Sequence, residues 1–122
     1  MAGKIVADTL EHSTAGSLDT QYVVNGSAKA WAHANASAVV QDSFNVSSGT
    51  DHATGDFSYA LTNAYANTNH VMAASSSATG AGRICTSNTG RKTASVIAIE
   101  IESHSGSADD KPQEFIGNGD LA

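Results

Sequence analysis

Apolar side chains occupy every second position in several short stretches of the chain, which is the period of a β-strand with one buried face. The clearest stretch is residues 93–102, where Ile97, Ile99 and Ile101 share one face. Similar stretches occur at residues 22–24, 43–47, 57–61, 70–74, 83–86 and 113–116. With the turn-forming residues between them, about seven or eight short strands predict an all-β fold, an antiparallel β-sandwich.

Residues 27–35 fit two interpretations, because alanine alternates there with larger side chains that include Trp31. Alanine is the best helix former, so residues 28–38 fit a helix by propensity alone. We predict a strand, because the stretch lacks a helical apolar stripe and follows Asn25-Gly26, a strong hairpin-turn signal. An alanine face on this strand lets another backbone approach closely.

The first 20 residues differ in pattern from the rest of the chain. Residues 4–10 fit one short strand, and the small polar residues at 11–17 are typical of an arm or a linker. We therefore divide the chain into an N-terminal arm or attachment segment, residues 1–20, and a β-sandwich head domain, residues 21–122.

The composition predicts a thin hydrophobic core, since alanine, serine, threonine and glycine make up almost half of the 122 residues. A small chain with few large apolar side chains often completes its burial against other subunits, so we expect an oligomer. The large strand residues expected to anchor the core or a subunit interface are Trp31, Phe44, Phe57, Tyr59, Ile97 and Ile99.

The formal net charge of −6, with only six Lys and Arg residues, argues against binding to nucleic-acid phosphates. No apolar stretch approaches the roughly 20 residues that span a bilayer, so we expect no membrane insertion. Residues 1–6 lack the apolar region of a signal peptide, and the single cysteine, Cys85, cannot form an intrachain disulfide. These features favour synthesis in a cytosol.

The sequence offers little support for catalysis or metal binding. The five histidines lack the close spacing of metal ligands, and the loop aspartates lack the spacing of a calcium loop. No Gly-x-Ser-x-Gly motif occurs, and Glu100 and Glu102, which share a strand face, are typical of a solvated or interface pair. We expect no enzyme activity, no metal and no cofactor, and keep a small carbohydrate-processing enzyme as an alternative.

Recognition is expected in the loops at residues 75–82, 87–91 and 103–111, because loops on a rigid scaffold often carry binding residues. Their polar side chains suit sugar hydroxyls or an acidic polysaccharide. The candidate receptor-contact residues are Ser75, Ser77, Thr79, Arg83, Asn88, Arg91, Lys92, His104, Asp109 and Lys111. Trp31 offers an alternative, because the apolar face of a sugar ring packs well on an aromatic side chain.

Four sequence blocks occur in a distinctive order: residues 23–31 (VVNGSAKAW), 42–48 (DSFNVSS), 50–59, which contain TD and TGDFSY, and 62–64 (TNA). Together they resemble a segment of tail-fibre-like proteins of tailed bacteriophages and prophages. The resemblance covers residues 20–65 and is looser from Val71 onward.

The resemblance implies a trimeric, β-rich head at the outer end of a phage fibre, located in the virion and used for contact with a host surface. The partners we expect are further copies of the chain in a homotrimer, other virion proteins bound through residues 1–20, and host surface glycan. The chain departs from the family pattern at Ala32 and Ala34, where larger apolar residues are usual, and near Ala66, where a proline is usual. We expect no long shaft of the kind that precedes such heads, so a capsid decoration or head-fibre protein is the alternative function.

Overall fold

The structure is a computed structural model that describes Gly3 and residues 5–77 and 82–122. Within these ranges the chain forms ten strands and one short helix. The strands are β1 (Thr9–His12), β2 (Gly16–Asp19), β3 (Ala30–Ala34), β4 (Val40–Phe44), β5 (Val46–Ala53), β6 (Asp56–Leu61), β7 (Val71–Ser76), β8 (Arg83–Ser87), β9 (Val96–Ser103) and β10 (Gln113–Asn118), and the helix α1 is Thr20–Gly26.

Eight of the strands form two four-stranded sheets that share one hydrophobic core. Sheet I has the strand order β4-β3-β10-β7, and sheet II has the order β5-β6-β9-β8. Among the described strands, every pairing within the two sheets is antiparallel. The predicted antiparallel β-sandwich of about seven or eight short strands is therefore confirmed.

The core between the sheets receives most of its large side chains from sheet II. Strand β6 contributes Phe57, Tyr59 and Leu61, and strand β9 contributes Ile97, Ile99 and Ile101. The facing strand of sheet I, β3, buries only Ala30, Ala32 and Ala34. The strand interpretation of residues 27–35 is thus confirmed over β3, and its alanine face lies against the core.

Small side chains and a few polar contacts hold the two sheets close together. The hydroxyl of Tyr59 in sheet II donates a hydrogen bond to Oε1 of Gln113 in sheet I, and both residues are buried. The rings of Tyr59 and Phe115 also meet, with centroids 4.9 Å apart. At Gly49 in β5, an added Cβ would collide with the carbonyl oxygen of Ala38. This glycine therefore permits the turn between β3 and β4 to lie directly on sheet II.

The hairpin turn predicted at Asn25-Gly26 is wrong, because these residues end the helix α1. A hairpin would require residues 22–24 to pair with the strand that follows. Strand β3 is hydrogen-bonded to β4 on one side and to β10 on the other, so it has no free edge for such a partner. Gly26 also lacks the positive φ that the predicted turn needs.

The single strand predicted over residues 43–47 is also wrong, because the chain passes from one sheet to the other at Asn45. This residue has a positive φ of 59° and separates β4 from β5. Its side chain donates to the carbonyl oxygen of Lys29 at 2.9 Å and accepts from the amide of Asn63 at 2.7 Å. Asp51, expected in a loop, lies in β5 beyond this corner.

Strands β1 and β2 form a separate antiparallel hairpin, which continues into α1. The single strand expected over residues 4–10 is therefore wrong, since β1 begins at Thr9 and pairs with β2. Residues 11–17 contain the turn and parts of both strands, and their role as an arm stays a prediction. We call residues 5–26 the N-terminal unit. Asn118 of β10 donates to the carbonyl oxygen of Gly26 at 3.1 Å, which joins this unit to the head. The helix crosses the predicted boundary at residue 20, and the division into two parts stays a prediction.

Candidate binding face

The outer face of sheet I carries a row of exposed apolar side chains. Trp31 in β3 lies directly opposite Phe44 in β4 and Ile116 in β10, and Ile116 lies opposite Ala73 in β7. The exposed fractions are 37% for Trp31, 54% for Phe44 and 52% for Ile116. We call these four residues the apolar row. It crosses all four strands, a span of about 14 Å at the usual strand spacing of about 4.8 Å.

A second row, made of polar residues, runs beside the apolar row. His33 pairs with Asp42 and with Glu114, and Glu114 pairs with Ser75. We call these four residues the polar row. Each of them lies two positions along its strand from a member of the apolar row, a distance of about 7 Å on the same face. The local sequences place the rows side by side because the strand period is two.

The polar row has hydrogen-bonding capacity to spare. The carboxylate of Glu114 accepts from the hydroxyls of Ser75 and Ser77, each at 3.2 Å, and Oδ1 of Asp42 accepts from the amide of Ser43 at 2.9 Å. A carboxylate has about four acceptor positions, so both retain free lone pairs. Within the part of the chain that the structure describes, the ring of His33 makes no hydrogen bond.

Between the rows lies an open groove of about 480 Å³. Trp31, Ile116 and Ala73 supply its apolar surface, while Glu114 and Ser75 lie at its polar border. Ligand sites commonly fall between about 300 and 1,000 Å³ and combine apolar walls with a few polar groups. The groove therefore has the size and the mixed lining of a small-molecule or oligomer-binding surface.

Trp31 and Phe44 lie outside the core, so the core position considered for them is wrong. Because the alanines of β3 face inward, the alternation of the strand turns Trp31 outward. The interface role considered for Trp31 and Phe44 stays a prediction, as does the sugar-stacking role considered for Trp31. The other proposed anchors, Phe57, Tyr59, Ile97 and Ile99, are fully buried in the core.

Sequence analysis did not single out Asp42, His33, Glu114 or Ile116. A local signal was present, because each polar residue stands two positions from a large apolar residue of the same strand face. The pairing of four strands that are distant in sequence is what brings these signals into one surface. No single stretch of the chain reveals it.

The predicted receptor-contact residues do not form one site. Ser75 and Ser77 border the groove through their bonds to Glu114, and Thr79 lies outside the described residues. His104 is exposed in the connection between β9 and β10. The remaining candidates are engaged within the chain, in two separate places.

The first place is an ion cluster between the start of β8 and the β9–β10 connection. Nε and Nη2 of Arg83 lie 2.6 and 2.5 Å from Oδ2 of Asp109, and Nζ of Lys111 lies 3.2 Å from Oδ1. Hydrogen bonds from Arg83 and Lys111 hold the pKa of Asp109 below its ordinary value of 3.8. This cluster binds the connection to sheet II.

The second place is the outer face of sheet II, where the turn after β8 folds across β9. Nε of Arg91 lies 2.8 Å from Oδ2 of Asp56, and Asn88 donates to Oδ1 of Asp56 at 3.0 Å. Nζ of Lys92 donates to the carbonyl oxygen of His70. These side chains fasten the turn, and a receptor-contact role for them stays a prediction.

Within the described residues, no three His, Cys, Asp or Glu side chains are placed to hold a metal ion. The described helix is too short to cross a membrane.

No protein-family model, curated protein or solved structure matches the chain.

Proposed function

We propose that the chain is a non-catalytic receptor-binding head of a virion, of the kind that its motif blocks resemble, and that it contacts the host surface through the outer face of sheet I. The observation that carries the proposal is the apolar row beside the polar row, with the groove between them. Hydrogen-bonded strands hold these side chains in fixed positions, which suits recognition without catalysis.

The outer face of sheet II differs from that of sheet I, and the difference supports sheet I as the binding face. Its outward positions include Asp56 and Ser58 of β6 and Glu100 of β9, and the turn that carries Arg91 folds across it. The apolar row of sheet I has no such cover from the described residues. Contiguous exposed apolar surface of this kind is typical of a binding surface.

The N-terminal unit supports the assembly half of the proposal. Its large apolar side chains are exposed: Ile5, Val6, Leu10, Leu18, Tyr22, Val23 and Val24. An isolated two-stranded hairpin and a helix of seven residues are each marginal in water. We therefore assign this unit to association with further copies in a homotrimer and with other virion proteins.

Such an assembly explains how a shallow groove can be sufficient for adhesion. Several weak sites on one particle raise the overall avidity by roughly 10²–10⁴ without a new contact. Each head then needs only modest affinity for the host surface.

The test is to delete the coding segment from the genome that carries it and to measure adsorption of the particles to the bacterium on which they grow. We expect particles that assemble but adsorb more slowly. Ile116→Ser should reproduce this defect, and Ile84→Ser on the outer face of sheet II should not. Normal adsorption without the protein contradicts the proposal. Heat-sensitive capsids would then favour the decoration alternative, and turnover of host polysaccharide would favour the enzyme alternative.

A further inference from the structure

We infer that the groove on sheet I binds an uncharged saccharide, with a sugar face stacked on the apolar row and hydroxyl groups directed to the polar row. This inference rests on the proposed function, since it names the class of receptor that the binding face takes. It differs from the expectation that loops bind an acidic polysaccharide. The reasons are the apolar surface, the hydrogen-bonding groups and the charge of the groove.

The apolar surface of the groove suits one face of a sugar ring. The indole of Trp31 provides a flat aromatic surface, and Ile116 and Ala73 extend it across β10 and β7. Sugar rings present C–H groups on their apolar faces, and these pack on aromatic and aliphatic side chains. The indole N–H of Trp31 has no partner within the described residues and can donate to a sugar oxygen.

The polar row suits the hydroxyl edge of the same sugar. Glu114 already accepts from two serine hydroxyls, which shows that its carboxylate is oriented for O–H donors. Hydroxyl groups donated to a carboxylate form short, charge-assisted hydrogen bonds, about twice as strong as neutral ones. The ring nitrogens of His33 add further hydrogen-bonding capacity in the middle of the row.

The charge of the groove selects against acidic ligands. Its lining includes the carboxylate of Glu114, the polar row adds that of Asp42, and among the described residues no Lys or Arg side chain lines it. A sulfated or carboxylated saccharide would place like charges together, on a chain of net charge −6. A second copy packed face to face would bury the same carboxylates against each other without a basic partner. An uncharged saccharide avoids both costs.

The 122-residue chain carries its own fluorescent probe, because Trp31 is its single tryptophan. The experiment titrates uncharged hexasaccharides of glucose, galactose and N-acetylglucosamine, each beside its sulfated form, and records tryptophan emission at low salt. We expect a saturable shift with at least one uncharged oligosaccharide. Its sulfated form should bind roughly tenfold or more weakly, which corresponds to about 1.4 kcal/mol.

Matched variants locate the binding. Glu114→Gln should weaken binding about tenfold or more, because a hydrogen bond to a charged group is replaced by a neutral one. Ile116→Ala should weaken it as well. Ile84→Ala is the control, since Ile84 is 47% exposed on the other sheet and Ile116 is 52% exposed. All three side chains are exposed, and denaturant unfolding checks that each variant is folded.

The inference is overturned if no uncharged oligosaccharide shifts the emission up to about 10 mM, or if the sulfated forms bind more tightly. It is also overturned if Ile116→Ala lowers the oligomeric state in sedimentation and leaves sugar binding unchanged, because the face is then an interface between copies.

A parallel measurement with fluorescently labelled protein and the bacterium on which the particles grow separates this failure from that of the proposed function. Cell binding that Ile116→Ala abolishes, without sugar binding, leaves the receptor-binding role in place and rejects the saccharide. Absence of cell binding rejects the receptor-binding role itself.

Discussion

In sheet II the large side chains point inward and most outward positions are polar, whereas in sheet I many inward positions are small and several large side chains point outward. Phe57 and Ile99 of sheet II fill the core, and Ala32 of sheet I is the small surface against which they pack. Trp31 and Ile116 of sheet I are left outside. The comparison teaches that the two sheets have different tasks. Sheet II supplies most of the core that stabilises the sandwich, and sheet I places several of its large side chains on an exposed surface.

The largest expected effect is that of Phe57→Ala, which removes a fully buried ring from sheet II. We expect a loss of about 3–5 kcal/mol in the free energy of unfolding, because a cavity remains where the ring was. Denaturant unfolding followed by circular dichroism measures it. A loss below about 1 kcal/mol would show that sheet II does not carry the core.

Ala32→Val tests the small face of sheet I. The added methyl groups have no room opposite sheet II, so we expect a loss of about 1–3 kcal/mol in the same measurement. Ala60→Val is the matched control, because Ala60 belongs to β6 but lies on its outward side. Equal losses for the two valines would remove the distinction between the inner and outer faces.

Trp31→Ala sharpens the comparison, because the same kind of truncation now falls on an outward aromatic side chain. We expect a loss of about 1–2 kcal/mol, from cross-strand packing with Phe44 and Ile116. A loss as large as that of Phe57→Ala would mean that another copy of the chain buries Trp31 in solution. Repeating the unfolding at several protein concentrations distinguishes that case.

The smallest expected effect is a pH dependence from His70, which stacks on Tyr65 at one end of the sandwich with ring centroids 4.4 Å apart. Burial, and to a lesser extent the charge of Lys92, lower its pKa below 6.5, and a hydrogen bond to the backbone of Asn67 partly opposes them. The unfolded chain therefore takes up a proton first as the pH falls. The contribution of neutral His70 to the free energy of unfolding should be fully present above pH 6.5. The free energy of unfolding should decrease as the pH falls below that value.

His70→Phe keeps a ring beside Tyr65 and removes the titration. Unfolding measured from about pH 7 to 5.5 should therefore show a shallower decrease than in the unmodified chain. All other side chains are the same in the two proteins, so their contributions cancel in the difference. An identical pH profile for both proteins would contradict the assignment to His70.

The alternation of apolar residues was enough to predict the two central strands of sheet II, β6 and β9, because Ile97, Ile99 and Ile101 lie on one face of a strand and suit burial on that face. Sheet I was harder to predict. The alternation of Ala32 with Trp31 shows that they face opposite ways but not which side is buried. Judged alone, this strand would be expected to bury its aromatic side. The large side chains of sheet II fill the core and leave room only for the alanine side of the strand.

The binding face could not be predicted from the sequence, for a different reason. Each local pattern, such as Glu114 two positions before Ile116, is common in any antiparallel strand with one polar face. The groove exists because β7 and β10 are neighbours in sheet I although far apart in the chain. Arg83 and Arg91 were expected to contact a ligand, but each is paired with a carboxylate that is distant in sequence.

A force applied to the N-terminal unit reaches the head at Ala30, the first residue of β3. This strand is hydrogen-bonded along both of its sides, to β4 and to β10. When the pull is directed along β3, the bonds of both ladders carry the load together in shear. A strand at the edge of a sheet, pulled across its length, would instead lose its bonds one after another. A tether through a central strand such as β3 therefore resists a pull along that strand better than an edge strand resists a pull across it.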